Sequence, residues 1–316
     1  MLYLTEQEVE RVLTMKDALR EVEAALREMG EGRAENRPRQ RVRAGGGMLS
    51  VMAAGLGSRG YYGFKYYTIA KSGVRFWFHL FDARSGELVA VLQADRLGQR
   101  RTGAASGVAT KYLARPDAAV VGIVGTGWQA ESQLEAMAEV RSLEEVRCFG
   151  RDPGRRKQFA TKMAAKLHVP VRDVEAAERA VRAADIVITA TDAREPVVQG
   201  EWLSEGTHVN AMGSNRSDAR ELDDSVLARS ACILCDSLDQ AKLEAGDLIL
   251  PVSRGILRWE QVHELGELVA GRTKGRAGPE DVTLFKSLGI ALEDVAVGSY
   301  VYEKARKEGL GREVGL

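Results

Sequence analysis

Four stretches of this chain carry residue types that could do chemistry. Lys65 stands mid-run in Gly63-Phe64-Lys65-Tyr66-Tyr67. A lysine flanked by aromatics is either an edge residue that snorkels or a partly buried cation with a task, and the pattern leaves both open. Asn36-Arg37-Pro38-Arg39-Gln40-Arg41-Val42-Arg43 is arginine-rich. It reads as a solvated basic edge or as a segment that turns one guanidinium inward to bind an anion. Arg100-Arg101-Thr102 opens a run of small residues, Gly103 to Gly107, which lets a helix approach another backbone or a ligand closely. In Val120-Val121-Gly122-Ile123-Val124-Gly125-Thr126-Gly127-Trp128-Gln129-Ala130 an apolar run stops at two glycines and a helical pattern begins. This G-x-G-x-x-A turn can hold a pyrophosphate, because helix-start N–H groups point at it and the helix dipole favours negative charge.

Other reactive types are sparse. Cys232-Ile-Leu-Cys235 is a C-x-x-C, but it sits in an apolar strand-like run where i and i+3 face opposite sides, so a redox or zinc role is not expected. Cys148 is the third cysteine, and the four histidines lack ligand spacing, so no metal is expected.

The elements that must position these groups fall into two textures. Thr5-Glu6-Gln7-Glu8 is a capping box, and Thr14 opens a second helix with an apolar stripe from Met15 to Met29, ended by Gly30. Strand-like runs follow at 48–53, 60–69, 76–82 and 88–93, with a hairpin signal at Ser85-Gly86. Residues 97–113 read as a helix, broken by Arg115-Pro116-Asp117. From Ala118 strands and helices alternate as in a doubly wound sheet. Helices are expected at 128–140, 153–167, 174–184, 240–245 and 259–270, and strands at 146–149, 185–191, 208–212 and 281–285. The run 231–235 reads as the last clear parallel strand, and 292–308 as a closing helix. The expected class is α/β: a Rossmann doubly wound parallel sheet over 116–294, plus a strand-rich α+β substrate and dimerisation domain over 1–115, completed by a C-terminal helix over 295–316.

Composition narrows the function. The chain has 316 residues, 45% apolar and 28% charged, enough for two domains with proper cores. Lys plus Arg and Asp plus Glu number 45 each, so nothing suggests nucleic-acid binding. No apolar run approaches a membrane span and the first residues lack a signal-peptide core, so a cytoplasmic location is expected.

The strand after the glycine turn ends Phe149-Gly150-Arg151-Asp152. An NAD site usually places an acid there for the ribose hydroxyls. Gly150 stands about where the acid is expected and Arg151 follows, which favours a 2′-phosphate and hence NADP(H) over NAD(H). The alternative is that Arg151 is a loop residue and Asp152, a helix-cap candidate, takes the ribose.

Several stretches together resemble the ornithine cyclodeaminase and μ-crystallin family: Gly63-Phe64-Lys65, Arg101 to Ser106, Lys111 to Asp117, Gly125 to Ala130, Asn210-Ala211-Met212-Gly213, and Ser287 to Asp294. The resemblance spans nearly the whole chain. It implies a two-domain subunit pairing with its twin across a two-fold axis, and NAD(P)-dependent hydride transfer at the α-carbon of a small amino or imino acid. It also implies roles. Arg39, with Arg41 as runner-up, and Arg101 would hold the substrate carboxylate. Lys65 would lie beside the reacting nitrogen, its pKa lowered by nearby guanidinium groups so that it can exchange a proton. Thr102, Gly125, Thr126, Gly127, Trp128, Gln129, Ala130, Gly150, Arg151, Thr191, Met212, Gly213 and Ser287 would form the cofactor site. One position departs from the cyclodeaminase pattern: Asn215 stands where those enzymes carry an aspartate used as an acid/base. Asparagine cannot exchange a proton at ordinary pH, which favours an imine reductase or amino-acid dehydrogenase over a cyclodeaminase. Non-catalytic binding of NADPH or a hormone-like ligand is the alternative of another class, and retention of Lys65, Arg101 and the glycine turn argues against it.

Overall fold

In the computed structural model, which describes residues 1–315, the chain builds two eight-stranded sheets. Strand β1 (Leu2–Leu4) leads into helices α1 (Glu6–Val12) and α2 (Met15–Gly30), each started by a reciprocal cap, Thr5 with Glu8 and Thr14 with Asp17. Strands β2 (Ala34–Asn36), β3 (Gln40–Ala44), β4 (Gly47–Leu56), β5 (Tyr61–Ala70), β6 (Gly73–Asp82) and β7 (Leu88–Gln93) follow. They form the first sheet in the order β1-β7-β6-β5-β4-β2, with β3 also paired to β4 and Arg312–Glu313 added beyond β1. The arginine-rich segment is thus partly a strand, since β3 pairs antiparallel with β4 from Gln40–Val51 to Ala44–Gly47.

Helix α3 (Asp95–Leu113) connects to the second sheet. Its elements are β8 (Val120–Val124), α4 (Trp128–Val140), β9 (Glu145–Phe149), α5 (Pro153–Leu167), β10 (Val171–Asp173), α6 (Ala177–Val181), β11 (Ile186–Thr189), β12 (His208–Ala211), α7 (Asp224–Arg229), β13 (Ser230–Cys235), α8 (Leu238–Glu244), α9 (Gly246–Ser253), β14 (Val262–Glu264), α10 (Leu265–Val269) and β15 (Val282–Lys286). All of its strands run parallel, in the order β10-β9-β8-β11-β12-β15-β13-β14, the doubly wound pattern expected from the alternation. Helix α11 (Ala291–Glu308) then returns to the first sheet, and β16 (Arg312–Glu313) pairs with β1.

The differences from the sequence reading have local causes. The helix expected over 174–184 shortens to α6, because Val171–Asp173 pairs with β9 and Ala183 adopts positive φ. The helix expected over 259–270 splits into a 3-10 turn, β14 and α10, since Val262–Glu264 finds a partner in β13. The run 231–235 is not the last parallel strand: β14 follows it, and β15 inserts between β12 and β13. Helix α9 contains Pro251, which on sequence argues against a helix. The C-terminal segment is not helical throughout, because Gly309 ends α11 in the left-handed region. A boundary at residue 294 falls inside that helix; Leu316 lies outside the described residues.

Helix α11 packs on β4, β5 and β6 while α3 packs on α2 and α4, and one apolar core runs from the first sheet through these helices to the second. The opposite face of the first sheet carries a run of rings. Phe64 stacks on His79 at 4.7 Å, Tyr62 stacks on Phe81 at 5.7 Å, and Tyr66 lies beside His79.

Candidate functional site

The cavity that joins the two sheets has a volume of about 1230 Å³ and runs from the glycine turn to the inner face of β3 to β6. Every site residue expected from sequence lines it except Ala130, which is buried beneath the turn. Its dinucleotide end is built by the β8–α4 junction. Gly125 has φ of 111°, and a Cβ there would stand 2.2 Å from the Ala190 carbonyl oxygen, so only glycine fits. Gly127, at the N-cap of α4, faces open space, as a backbone approached by a ligand must. These features fit a pyrophosphate on the first turn of α4.

Beyond that turn, Gly150, Arg151, Asp152 and Arg155 line the same end of the cavity. Asp152 caps α5, accepting from the Arg155 N–H at 2.9 Å. Arg151 is exposed and pairs with Asp192 at 3.1 Å. Trp128 projects half-exposed at the cavity wall, and its carbonyl accepts from Gln99 Nε2 at 2.5 Å. Thr102 and Ser287 line the cavity, and their hydroxyls donate to the Gly98 carbonyl and to Asp236.

At the other end four cations meet buried acids. Lys65 is 2% exposed, and its Nζ lies 3.0 Å from Asp294 Oδ1. Arg101 Nε donates to the same oxygen at 3.0 Å and Arg101 Nη1 to Glu293 at 2.8 Å, leaving Nη2 for a ligand. Burial, with Arg101 and Arg39 adding, pushes the Lys65 ammonium down from 10.5 to about 8, against the opposing pull of Asp294. Burial opposes the Arg101 charge too, but Asp294 and Glu293 outweigh it and hold that guanidinium above its ordinary value. Glu293 is raised to about 8, first by burial, with Asp236 adding. Lys65 is thus a buried cation rather than a snorkelling edge residue.

Both arginines of the first-sheet edge reach the site. Arg39 bonds Glu244 through Nη1, the Leu288 and Gly289 carbonyls through Nη2 at 2.8 and 3.1 Å, and Met52 Sδ through Nε at 3.4 Å. Arg41 pairs with the other Glu244 oxygen at 2.6 Å and donates to the Asn215 carbonyl at 3.0 Å, with its side chain 21% exposed. Arg41 therefore links the two sheets across the cavity, and Asn215 is brought to Arg41 rather than to Lys65.

The Thr191 hydroxyl and N–H are both directed to Glu221 Oε1 at 2.7 Å, so they shape the wall from behind. Among the aromatics of β5, Tyr67 lines the cavity, whereas Tyr62 and Tyr66 join the rings on the far face. The acids Glu244, Asp236, Glu293 and Asp294 went unassigned in sequence. The one signal was Glu293-Asp294, two adjacent charges inside the apolar run from Ile290 to Val297. The cysteines are buried or half-buried, with thiols pushed up by burial. Among the described residues no group of acids, histidines and cysteines could hold a metal, and no helix is long and apolar enough to cross a membrane.

Comparison with known proteins places these features in context. The model of the ornithine cyclodeaminase/mu-crystallin family matches residues 1–309. A Δ1-pyrroline-2-carboxylate reductase of Bacillus cereus is 39% identical over 236 residues, 74% of this chain and 72% of that protein. The structure of Thermococcus litoralis Δ1-pyrroline-2-carboxylate reductase in complex with NADH and L-proline superposes with a TM-score of 0.95 at 37% identity, covering 99% of this chain and 100% of that one. An archaeal alanine dehydrogenase dimer with bound NAD superposes with a TM-score of 0.94 at 35% identity, covering 100% and 99%.

Proposed function

The chain belongs to the ornithine cyclodeaminase/mu-crystallin family, and from that premise we propose that it is an NAD(P)(H)-dependent oxidoreductase of small imino and amino acids. It reduces a cyclic ketimine carboxylate such as pyrroline-2-carboxylate, or runs the reverse amino-acid dehydrogenation. The carrying observation is a single cavity that joins a dinucleotide turn to a buried lysine and two guanidinium groups. The bound nicotinamide supplies or takes up the hydride. The protein's own residues do the rest. Arg41 and the open Nη2 of Arg101 hold the substrate carboxylate, a task for which guanidinium geometry is suited. Arg41 is preferred to Arg39 because its side chain is 21% exposed, whereas that of Arg39 is 3% exposed with all three nitrogens engaged inside the protein. Lys65 donates the proton to the imine nitrogen in reduction, and Asp294 aims its Nζ. Much of the rate comes from this positioning.

Asn215 lacks the proton chemistry of a deaminating aspartate, and its carbonyl is bound to Arg41, so ornithine cyclisation is the weaker reading. At the adenosine end Gly150 offers no carboxylate, while Arg151 and Arg155 line the cavity, which supports NADP(H) over NAD(H). The subunit division is a substrate unit of residues 1–115 with α11, and a dinucleotide unit between them. The substrate units pair as a homodimer through the uncovered ring-bearing face of the first sheet. The deciding experiment is NAD(P)H oxidation with cyclic ketimine carboxylates by the wild type and Lys65→Ala. A folded Lys65→Ala protein that reduces the imine at the wild-type rate refutes the role of Lys65; a wild type inactive on every cyclic imine and amino acid refutes the activity.

A further inference from the structure

Glu221 stands outside every motif that the sequence singled out, yet it is fully buried and is the most heavily bonded carboxylate behind the cavity. Its Oε1 accepts from the Thr191 N–H and hydroxyl, both at 2.7 Å. Its Oε2 accepts from the Thr189 hydroxyl at 2.8 Å, the Gly213 N–H at 2.7 Å and the Ser214 N–H at 3.3 Å. Thr189 ends β11, Thr191 opens the loop after it, and Gly213 and Ser214 open the loop after β12. One carboxylate therefore ties together the outgoing ends of two adjacent strands.

The carboxylate is itself braced. The Glu221 and Leu222 N–H groups donate to Asp247 at 2.7 and 3.0 Å, and Asp247 pairs with Lys286 at 2.8 Å. Lys286 donates to the Ser214 carbonyl at 2.7 Å, closing the circuit back to the second loop. Space is as tight as the bonding. A Cβ on Gly213 would stand 2.3 Å from the Thr191 carbonyl oxygen and 2.4 Å from Glu221 Oε1. Hydrogen bonds to a charged group are among the stronger ones, and removing a buried partner strands its donors.

The place of this clamp gives it a function. Thr191 lines the cavity just beyond β11, beside Gly125, and Met212 and Gly213 line it at the end of β12, whereas Gly150, Arg151 and Arg155 line it after β9, with the exposed Arg151–Asp192 pair between the two groups. In a doubly wound sheet a dinucleotide crosses the strand ends at the point where the order reverses, so the two groups serve opposite halves of it. We propose that Glu221 is a positioning residue that shapes the nicotinamide half of the cofactor site by clamping the loops after β11 and β12 together. This rests on the dinucleotide reading of the cavity.

The test separates the nicotinamide ring from the rest of the ligand, since ADP-ribose keeps both phosphates and both riboses. Calorimetric dissociation constants of NADH, NADPH, ADP-ribose and 2′-phospho-ADP-ribose are measured on the wild type, Glu221→Gln and Thr189→Val. Glu221→Gln is expected to weaken the reduced dinucleotides about tenfold or more, the scale of a lost charged hydrogen bond, and to leave the ADP-ribose forms within about twofold. Thr189→Val, which removes one bond to the clamp, is expected to show the same selectivity at roughly threefold, and it decides the matter if Glu221→Gln does not fold. Equal losses for whole and truncated ligands, or no loss at all, overturn the proposal. A wild type that binds none of the four overturns the dinucleotide reading instead.

Discussion

Asp294→Asn keeps the shape of a side chain and removes its charge, and its effect can be worked out from two contacts. Asp294 Oδ1 lies 3.0 Å from Lys65 Nζ and 3.0 Å from Arg101 Nε, with no exposure to solvent. Burial and the two arginines lower the lysine to about 8, and Asp294 alone among its close partners opposes them. An opposite charge within reach moves a pKa by roughly one to three units, so the variant's lysine should titrate at about 5 to 7. In the proposed mechanism reduction needs the protonated amine. Its kcat/KM is therefore full below the lysine pKa and lost as pH rises through it, near pH 8 in the wild type. At about pH 7.5 the protonated fraction falls roughly threefold for a shift of about one unit and over a hundredfold for about three. Amino-acid oxidation needs the free amine, so its rising limb should move to lower pH by the same amount. The assay is the pH profile of kcat/KM in both directions, beside far-ultraviolet dichroism to confirm folding. A folded variant with unmoved limbs, or with both directions reduced equally at every pH, refutes the charge-partner role of Asp294.

Arg41→Ala should raise KM for the imino acid at least about tenfold through loss of a charged contact, with the cofactor dissociation constant unchanged; equal KM values would remove Arg41 from the carboxylate site. Arg39→Ala takes one buried charge partner from Glu244 and a donor from each of the Leu288 and Gly289 carbonyls, so it should lower the melting temperature as well as the activity. Arg151→Ala should cut kcat/KM for NADPH several-fold and leave NADH unaffected, and a wild type that prefers NADH ends the 2′-phosphate reading. Phe64→Arg places a charge among the rings of the first sheet and should give a monomer by sedimentation velocity; a variant that sediments as a dimer rules this face out as the interface. His208 is buried and held neutral, its pKa pushed down to about 3 by burial and Arg276. The unfolded imidazole therefore takes up a proton first, and stability drains away by about 1.4 kcal/mol per unit as pH falls below 6.5. Chemical denaturation at pH 7 and pH 5 should show that difference shrinking by about 2 kcal/mol in His208→Gln, and an equal difference in both proteins refutes it.

Local signals in the sequence were read where local physics decides. The capping residues Thr5 and Thr14 start helices, the glycine turn at 125–127 joins a strand to a helix, and alternation from Ala118 yields a doubly wound sheet. Sequence failed where a partner far along the chain decides. Val262–Glu264 is a strand only because β13 lies beside it. Lys65 could not be judged between edge and interior, since the answer is Asp294, 229 residues later. The proposed preference for Arg41 over Arg39 rests on contacts with Glu244, Leu288 and Gly289, none of them near in sequence. Glu221 and Asp247 look like surface acids in isolation, and only the packing of loops around them makes them interior.

The return of α11 to the first sheet also sets an order of events during synthesis. Lys65 and Arg101 are made in the first third of the chain, but Glu293 and Asp294 arrive only after the last strand of the parallel sheet, β15, is complete. Domains fold as units while the chain emerges, so the parallel sheet can close while the first sheet still lacks its covering helix and the β16 edge. Until then Lys65 lacks its acid partner and Arg101 both of its ion-pair partners, and the inner surface of β4, β5 and β6 stays open. The chemistry of this protein is among the last parts of it to come into being.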